Sequence, residues 1–276
     1  MSRYEKMFAK LAARGEGAFV PFIMLSDPTP VVALDVVRAA VAGGADALEL
    51  GVPFSDPVAD GPTIQASHVR ALANGATVDA ALAQIRILRA EFPEIPIGML
   101  IYGNVAFTRG IDAFYQDFAQ AGADSILLPD VPVRESVAFV PAAERAGIDP
   151  VFIAPAQAAE KTLRGVAEVA RGYIYAISRD GVTGTERESE TTGLAQVVSR
   201  IAKYGGVPPL LGFGISTPKH VADAIAAGAA GAITGSALTK VINQHVDEDG
   251  RVKPGLSNAV QEFVASMKAA TLPATA

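Results

Sequence analysis

The chain has 276 residues, half of them hydrophobic and 19% charged, so it carries enough apolar surface to offset chain entropy, and disorder is excluded as its dominant state. Twenty-three basic residues against twenty-nine acidic ones leave a net charge of −6, which argues against nucleic acid or an anionic membrane as the main partner. Zero cysteines exclude disulfides, thiolate nucleophiles and iron–sulfur clusters, while the three histidines, His68, His220 and His245, show no ligand spacing, so no metal is expected.

In chain order, residues 1–16 read as an N-terminal helix whose alternating charge lacks the apolar core of a secretory signal. A junction then recurs in which an Ala-rich helix ends at glycine and a short apolar strand follows: Ala42–Leu50, Ala121–Leu128, Ala146–Ile153 and Ala227–Thr234. The runs of this kind predict eight strands, at 18–25, 47–51, 97–101, 125–128, 150–154, 173–177, 209–213 and 231–234. Helical patterns fill the intervals at 31–41, 78–91, 111–121, 136–146, 161–170, 194–204 and 219–227, and a last one covers 254–268. The longest uncharged stretch, Ala224–Thr239, spans sixteen residues broken by glycine and falls short of the roughly 20 a bilayer crossing takes. A cytoplasmic protein with no membrane span is expected.

Eight strands alternating with helices form a closed (β/α)8 barrel or a doubly wound open sheet. The first strand is followed by Ser26-Asp-Pro-Thr29 instead of a glycine-rich dinucleotide fingerprint, which favours the barrel, and no linker divides the chain. The expected architecture is therefore α/β: a single (β/α)8 TIM barrel over residues 1–276 with an extra N-terminal helix.

In such a barrel, chemistry belongs at the C-terminal ends of the strands. Glu49 alternates with Leu48 and Leu50; if the leucines pack beneath the helices, the carboxylate faces inward. Isolated burial raises a carboxyl pKa towards neutrality, where it can donate and accept protons, although an ion pair of purely structural role is the competing reading. The following loop, 51–62, holds Asp56 and Asp60 among prolines and glycines and reads as a shaped flap; Asp60 gains weight by its pairing with Glu49. Glycine turns at Leu211–Thr217 and Ala232–Leu238 sit side by side where this fold seats phosphate. Residues 178–193 show neither strand nor helix pattern and suit a lid, while Phe22, Leu100, Tyr102, Leu127, Ile153 and Tyr175 lie near strand ends where an apolar pocket would draw on them.

The strings Ala47–Pro62, Ile95–Tyr102, Gly181–Gly184 and Gly212–Ser216 resemble the tryptophan synthase alpha chain, and the match runs along nearly the whole chain. The resemblance implies a lyase of tryptophan biosynthesis that cleaves indole-3-glycerol phosphate to indole and glyceraldehyde 3-phosphate. Carried over by position, it implies Glu49 as proton-transferring acid and base and Asp60 as the carboxylate that engages the indole nitrogen. Phe22, Leu100, Tyr102, Leu127, Ile153, Tyr175 and Thr183 would border the ligand; Gly184, Phe213, Gly214, Gly235 and Ser236 would hold its phosphate. Pro53, Asp56, Asn104 and Pro132 would face a beta chain that carries pyridoxal phosphate in an alpha2beta2 heterotetramer, this chain having no cofactor of its own. Val105, where many relatives carry proline, departs from the pattern in that partner-facing segment. Two other readings stand beside this one: a phosphosugar isomerase or epimerase on the same barrel, and a silent subunit that only activates the beta chain.

Overall fold

Eight parallel strands close on themselves in sequence order, with β8 returning to pair with β1. They are β1 (Ala18–Met24), β2 (Leu48–Gly51), β3 (Ile97–Leu100), β4 (Ser125–Leu127), β5 (Asp149–Pro155), β6 (Ile174–Ile177), β7 (Pro209–Gly212) and β8 (Gly231–Thr234) in a computed structural model that describes residues 1–177, 191–247 and 250–272. The helices in the first half are α1 (Arg3–Ala12), α2 (Pro30–Ala42), α3 (Pro62–Ala73), α4 (Val78–Glu91), α5 (Gly103–Arg109) and α6 (Ile111–Ala121). The second half contributes α7 (Val140–Ala146), α8 (Glu160–Val169), α9 (Thr191–Lys203), α10 (Pro218–Ala226), α11 (Ser236–Gln244) and α12 (Leu256–Ala269).

The eight expected strands are all present, each within two residues of its expected ends. The junctions explain why. Gly122 and Gly147 take left-handed conformations just past α6 and α7, ending each helix where an L side chain would be strained. The aspartates that follow such glycines close the bottom rim: the Asp46 carboxylate accepts from the Phe19 amide at 2.8 Å, and that of Asp124 accepts from the Ile97 amide at 2.8 Å. An acidic side chain thereby satisfies an amide at the start of the neighbouring strand.

Alternation along the strands separates two cores. Leu48, Leu50, Ile97, Met99, Ile126 and Leu211 point outward beneath the helices, whereas Val20, Leu127, Val151, Tyr173, Tyr175 and Ile233 fill the barrel. A capping box of Ser2 and Glu5 starts α1, whose Tyr4, Met7 and Leu11 plug the lower mouth. Tyr4 hydrogen-bonds Ser125 at 2.9 Å, in space that any side chain at Gly98 would occupy. The plug leaves the opposite, C-terminal mouth for a ligand.

Several expectations change. The helix expected over 136–146 is a 3₁₀ turn, Val133–Ala138, followed by α7, because Pro141 lacks an amide hydrogen and starts a new helix instead of continuing one. Helices α3 and α5 lie where no helix was expected; α3 buries the polar Ser67 and His68 and exposes Val69, which scrambles its hydrophobic stripe. Helix α9 begins at Thr191, inside the segment expected to be irregular. The rest of that loop, 178–190, lies outside the described residues.

Candidate active site

Glu49 stands on the floor of the C-terminal mouth, with 1% of its surface exposed. Its outward neighbours are the two leucines expected there, so the pleat turns the carboxyl into the barrel. Burial pushes its pKa up to about 7, against a Tyr173 hydroxyl that donates to Oε1 at 2.8 Å and with a smaller push from the nearby Asp60. A carboxyl with that pKa holds both protonation states at neutral pH, which proton shuttling requires.

Asp60 closes the flap between β2 and α3. The Tyr102 hydroxyl donates to its Oδ2 at 2.8 Å and accepts from the Ala59 amide at 3.0 Å, so one phenol holds both the carboxylate and the backbone beside it. Gln65 donates to the Asp60 carbonyl at 2.7 Å from the first turn of α3. Lower on that helix, Arg70 grips Asp27 through two bonds of 2.8 and 2.9 Å and ties α3 to the loop after β1.

Between the two carboxyls and the far rim lies a cavity of the mixed apolar and polar lining that small-molecule sites use. Phe22, Leu100, Ile64 and Tyr175 form its apolar wall with Glu49 and Asp60; Phe213, Gly214, Ile215, Ile233, Gly235 and Ser236 complete it. The rim is built for an anion. Phe213 and Gly214 both take positive φ, and Gly235 caps α11 with no side-chain hydrogen bond, so the helix N-terminus presents backbone donors and the positive end of its dipole. Thr234 ties the two turns together by donating to the Ile215 carbonyl at 2.6 Å.

Gly212 shapes the cavity from below: a Cβ there would overlap the Tyr175 ring. Gly212→Ala is expected to swing that ring towards the cavity, to cost about 1–3 kcal/mol of stability by overpacking, and to raise the KM for a ring-bearing substrate severalfold. Thermal denaturation and steady-state kinetics check this, and an unchanged KM would show that the ring retreats elsewhere.

Nine of the expected site residues thus meet at one cavity: Glu49, Asp60, Phe22, Leu100 and Tyr175, with Phe213 and Gly214 on one turn and the Gly235–Ser236 pair on the other completing the set. Tyr102 stands behind Asp60 and off the cavity wall, because its hydroxyl is spent on the carboxylate and its ring stacks on Phe54 at 5.2 Å. Leu127 is sealed in the barrel core, and the partly buried Ile153 packs against that same core without lining the cavity. Thr183 and Gly184 lie outside the described residues. Sequence reasoning missed Tyr173, His68, Ile64, Ile215 and Ile233; period-two alternation within β6 and β8 would have found Tyr173 and Ile233. Among the described residues, no three His, Asp or Glu side chains gather as metal ligands.

The model of the tryptophan synthase alpha chain family matches residues 8–271. This chain belongs to that family. It is 75% identical over 271 residues to the tryptophan synthase alpha chain of Corynebacterium aurimucosum, with 98% of each chain covered. It is 66% identical over 277 residues to that of Corynebacterium glutamicum, covering 98% of this chain and 99% of the relative. Among solved structures, it is similar to tryptophan synthase subunit alpha from Legionella pneumophila, with a TM-score of 0.87 at 29% identity over 98% of both chains. It also resembles a chain of the aminoacrylate-bound tryptophan synthase of M. tuberculosis, with a TM-score of 0.84 at 25% identity over 98% of this chain and 100% of that one.

Of the residues expected by that family resemblance to face a partner, Asp56, Asn104 and Pro132 are exposed on the C-terminal rim. Pro53 is buried, because the flap turns inward there to bring the Phe54 amide against α3. No helix among the described residues is long and apolar enough to cross a membrane.

Proposed function

We propose that Glu49 and Asp60 divide the work by which this lyase cleaves indole-3-glycerol phosphate into indole and glyceraldehyde 3-phosphate. Glu49, protonated, delivers its proton to C3 of the indole ring, which places positive charge on N1. Asp60 meets the N1–H and stabilises that charge. The glycerol hydroxyl on the carbon bonded to C3 then surrenders its proton to the Glu49 carboxylate; the carbon–carbon bond breaks, its electron pair restores the aromatic indole, and the hydroxyl carbon becomes the aldehyde. One proton is given and one recovered, so the enzyme ends as it began.

The observation that carries this reading is the Glu49 carboxyl, poised near pKa 7 and sharing one cavity with Asp60. The turns at Phe213–Gly214 and Gly235–Ser236 suit the phosphate, and the apolar wall between suits a bicyclic ring. The lid expected at 178–193, with Thr183 and Gly184, would close over the substrate in this reading.

Indole would leave towards a beta chain bearing pyridoxal phosphate, in an alpha2beta2 assembly in the cytoplasm. Support for a partner face comes from the segments after β2, β3 and β4, where Val58, Phe107 and Val137 are 72%, 60% and 80% exposed near Asp56, Asn104 and Pro132. Incubating the purified chain with indole-3-glycerol phosphate is expected to release indole, faster with a beta chain added; no indole in either reaction would reject the assignment.

A further inference from the structure

We infer that His68 is a positioning residue for Asp60, clamping the carboxylate and the flap that carries it. The inference rests on the proposed role of Asp60 at the indole nitrogen and adds a residue to that site.

His68 lies on the inner face of α3 with 2% of its surface exposed, and both ring nitrogens are engaged. Nδ1 accepts from the Phe54 amide at 2.9 Å. A backbone amide can only donate, so Nδ1 carries no hydrogen and the ring proton sits on Nε2, where it points at Asp60 Oδ2 across 3.1 Å. One rigid imidazole thus joins the start of the flap, at Phe54, to its end, at Asp60.

Oδ2 receives two donors, the Tyr102 hydroxyl at 2.8 Å and the His68 ring. A single donor would leave the carboxylate turning about that bond. A second donor from another element fixes its plane. Tyr102 comes from just past the end of β3 and His68 from α3, so the carboxylate is triangulated between the barrel and a helix. That helix is itself pinned by Arg70 on Asp27 and Asn74 on the Pro28 carbonyl. Catalytic groups held by such supports reach the transition-state geometry without reorganising.

A packing role alone makes a different prediction, and the two amide substitutions separate them. Asn at position 68 can place its oxygen near the Nδ1 position and accept from Phe54, but is too short to reach Asp60. Gln places its nitrogen near the Nε2 position and can donate to Asp60 while giving up Phe54. In indole-3-glycerol phosphate cleavage, His68→Asn is expected to lower kcat by about tenfold or more with KM within roughly twofold, while His68→Gln stays within about threefold of the parent. Thermal denaturation of the two variants is measured alongside.

The inference is overturned if Gln does no better than Asn, or if the ranking of kcat merely follows that of melting temperature. Asp60→Asn, assayed in parallel, separates the two levels: if it retains activity, the role given to Asp60 fails, whereas an inactive Asp60→Asn with equal His68 variants removes only the clamp.

Discussion

Glu49→Gln is expected to abolish indole release, lowering kcat by about 10³-fold, while making the protein more stable above neutral pH. The first effect follows from chemistry: an amide neither gives up a proton to C3 nor collects one from the glycerol hydroxyl, and general acid–base catalysis is worth about 10²–10⁴-fold. The second follows from burial. The Glu49 pKa is raised from its ordinary value of 4.5 to about 7 in the folded chain, first by desolvation. Below pH 4.5 the carboxyl is protonated in both folded and unfolded chains, and its favourable neutral form contributes in full. As the pH climbs through 7 the folded state must ionise it among apolar neighbours, and that contribution is lost, a cost of about 3 kcal/mol. Gln carries no such cost. Melting temperatures measured from pH 4.5 to 8.5 should therefore diverge, with the variant pulling ahead as the pH rises. Parallel melting curves would show that the carboxyl is not desolvated as the structure describes. In the parent enzyme the same titration should make kcat/KM fall above about pH 7, where the proton for C3 is gone.

Asp60→Asn is expected to lower kcat by about 10²–10³-fold, the cost of removing one preorganised charge partner from a transition state. Isosteric replacement is harmful here because of what surrounds the side chain. The Tyr102 hydroxyl and the His68 ring both donate to Oδ2, so an amide in that place turns its oxygen to them. Its NH₂ is then presented to the cavity, donor against the indole N–H, and the negative charge that would balance the protonated ring is absent. Substrate affinity should suffer less than turnover, because the charge on N1 develops only once C3 is protonated. Steady-state kinetics in the presence of a beta chain check this split, and a variant that changed KM alone would contradict it.

The inward face of Glu49 was legible because it rests on a local rule: between Leu48 and Leu50, a period of two leaves the carboxylate only one side. The phosphate turns were legible for a similar reason, since Phe213–Gly214 and Gly235–Ser236 combine glycine with a strand end and a helix start. Tyr102 and Leu127 illustrate the limit. Both stand near strand ends, as a pocket residue should, yet Tyr102 is taken up by Asp60 and Leu127 by the barrel filling. Tyr173, just before β6, and Tyr175 within it point the same way, and their spacing cannot say which of them reaches Glu49. Barrel tilt and stagger decide it, placing Tyr173 against the carboxyl and Tyr175 on the cavity wall.

His68 is the clearest case of what chain order conceals. As an isolated histidine with no ligand spacing it carried no signal, because its partners are the backbone of Phe54 and the carboxylate of Asp60, on a helix whose hydrophobic pattern is too broken to read. Eight strands, the barrel they close and the two acids at its mouth follow from glycine-ended helices and alternating apolar residues, which act over a few residues at a time. The tyrosine hydroxyls that aim those acids come from 42 and 124 positions away, and only the closed, staggered barrel brings them within bonding distance.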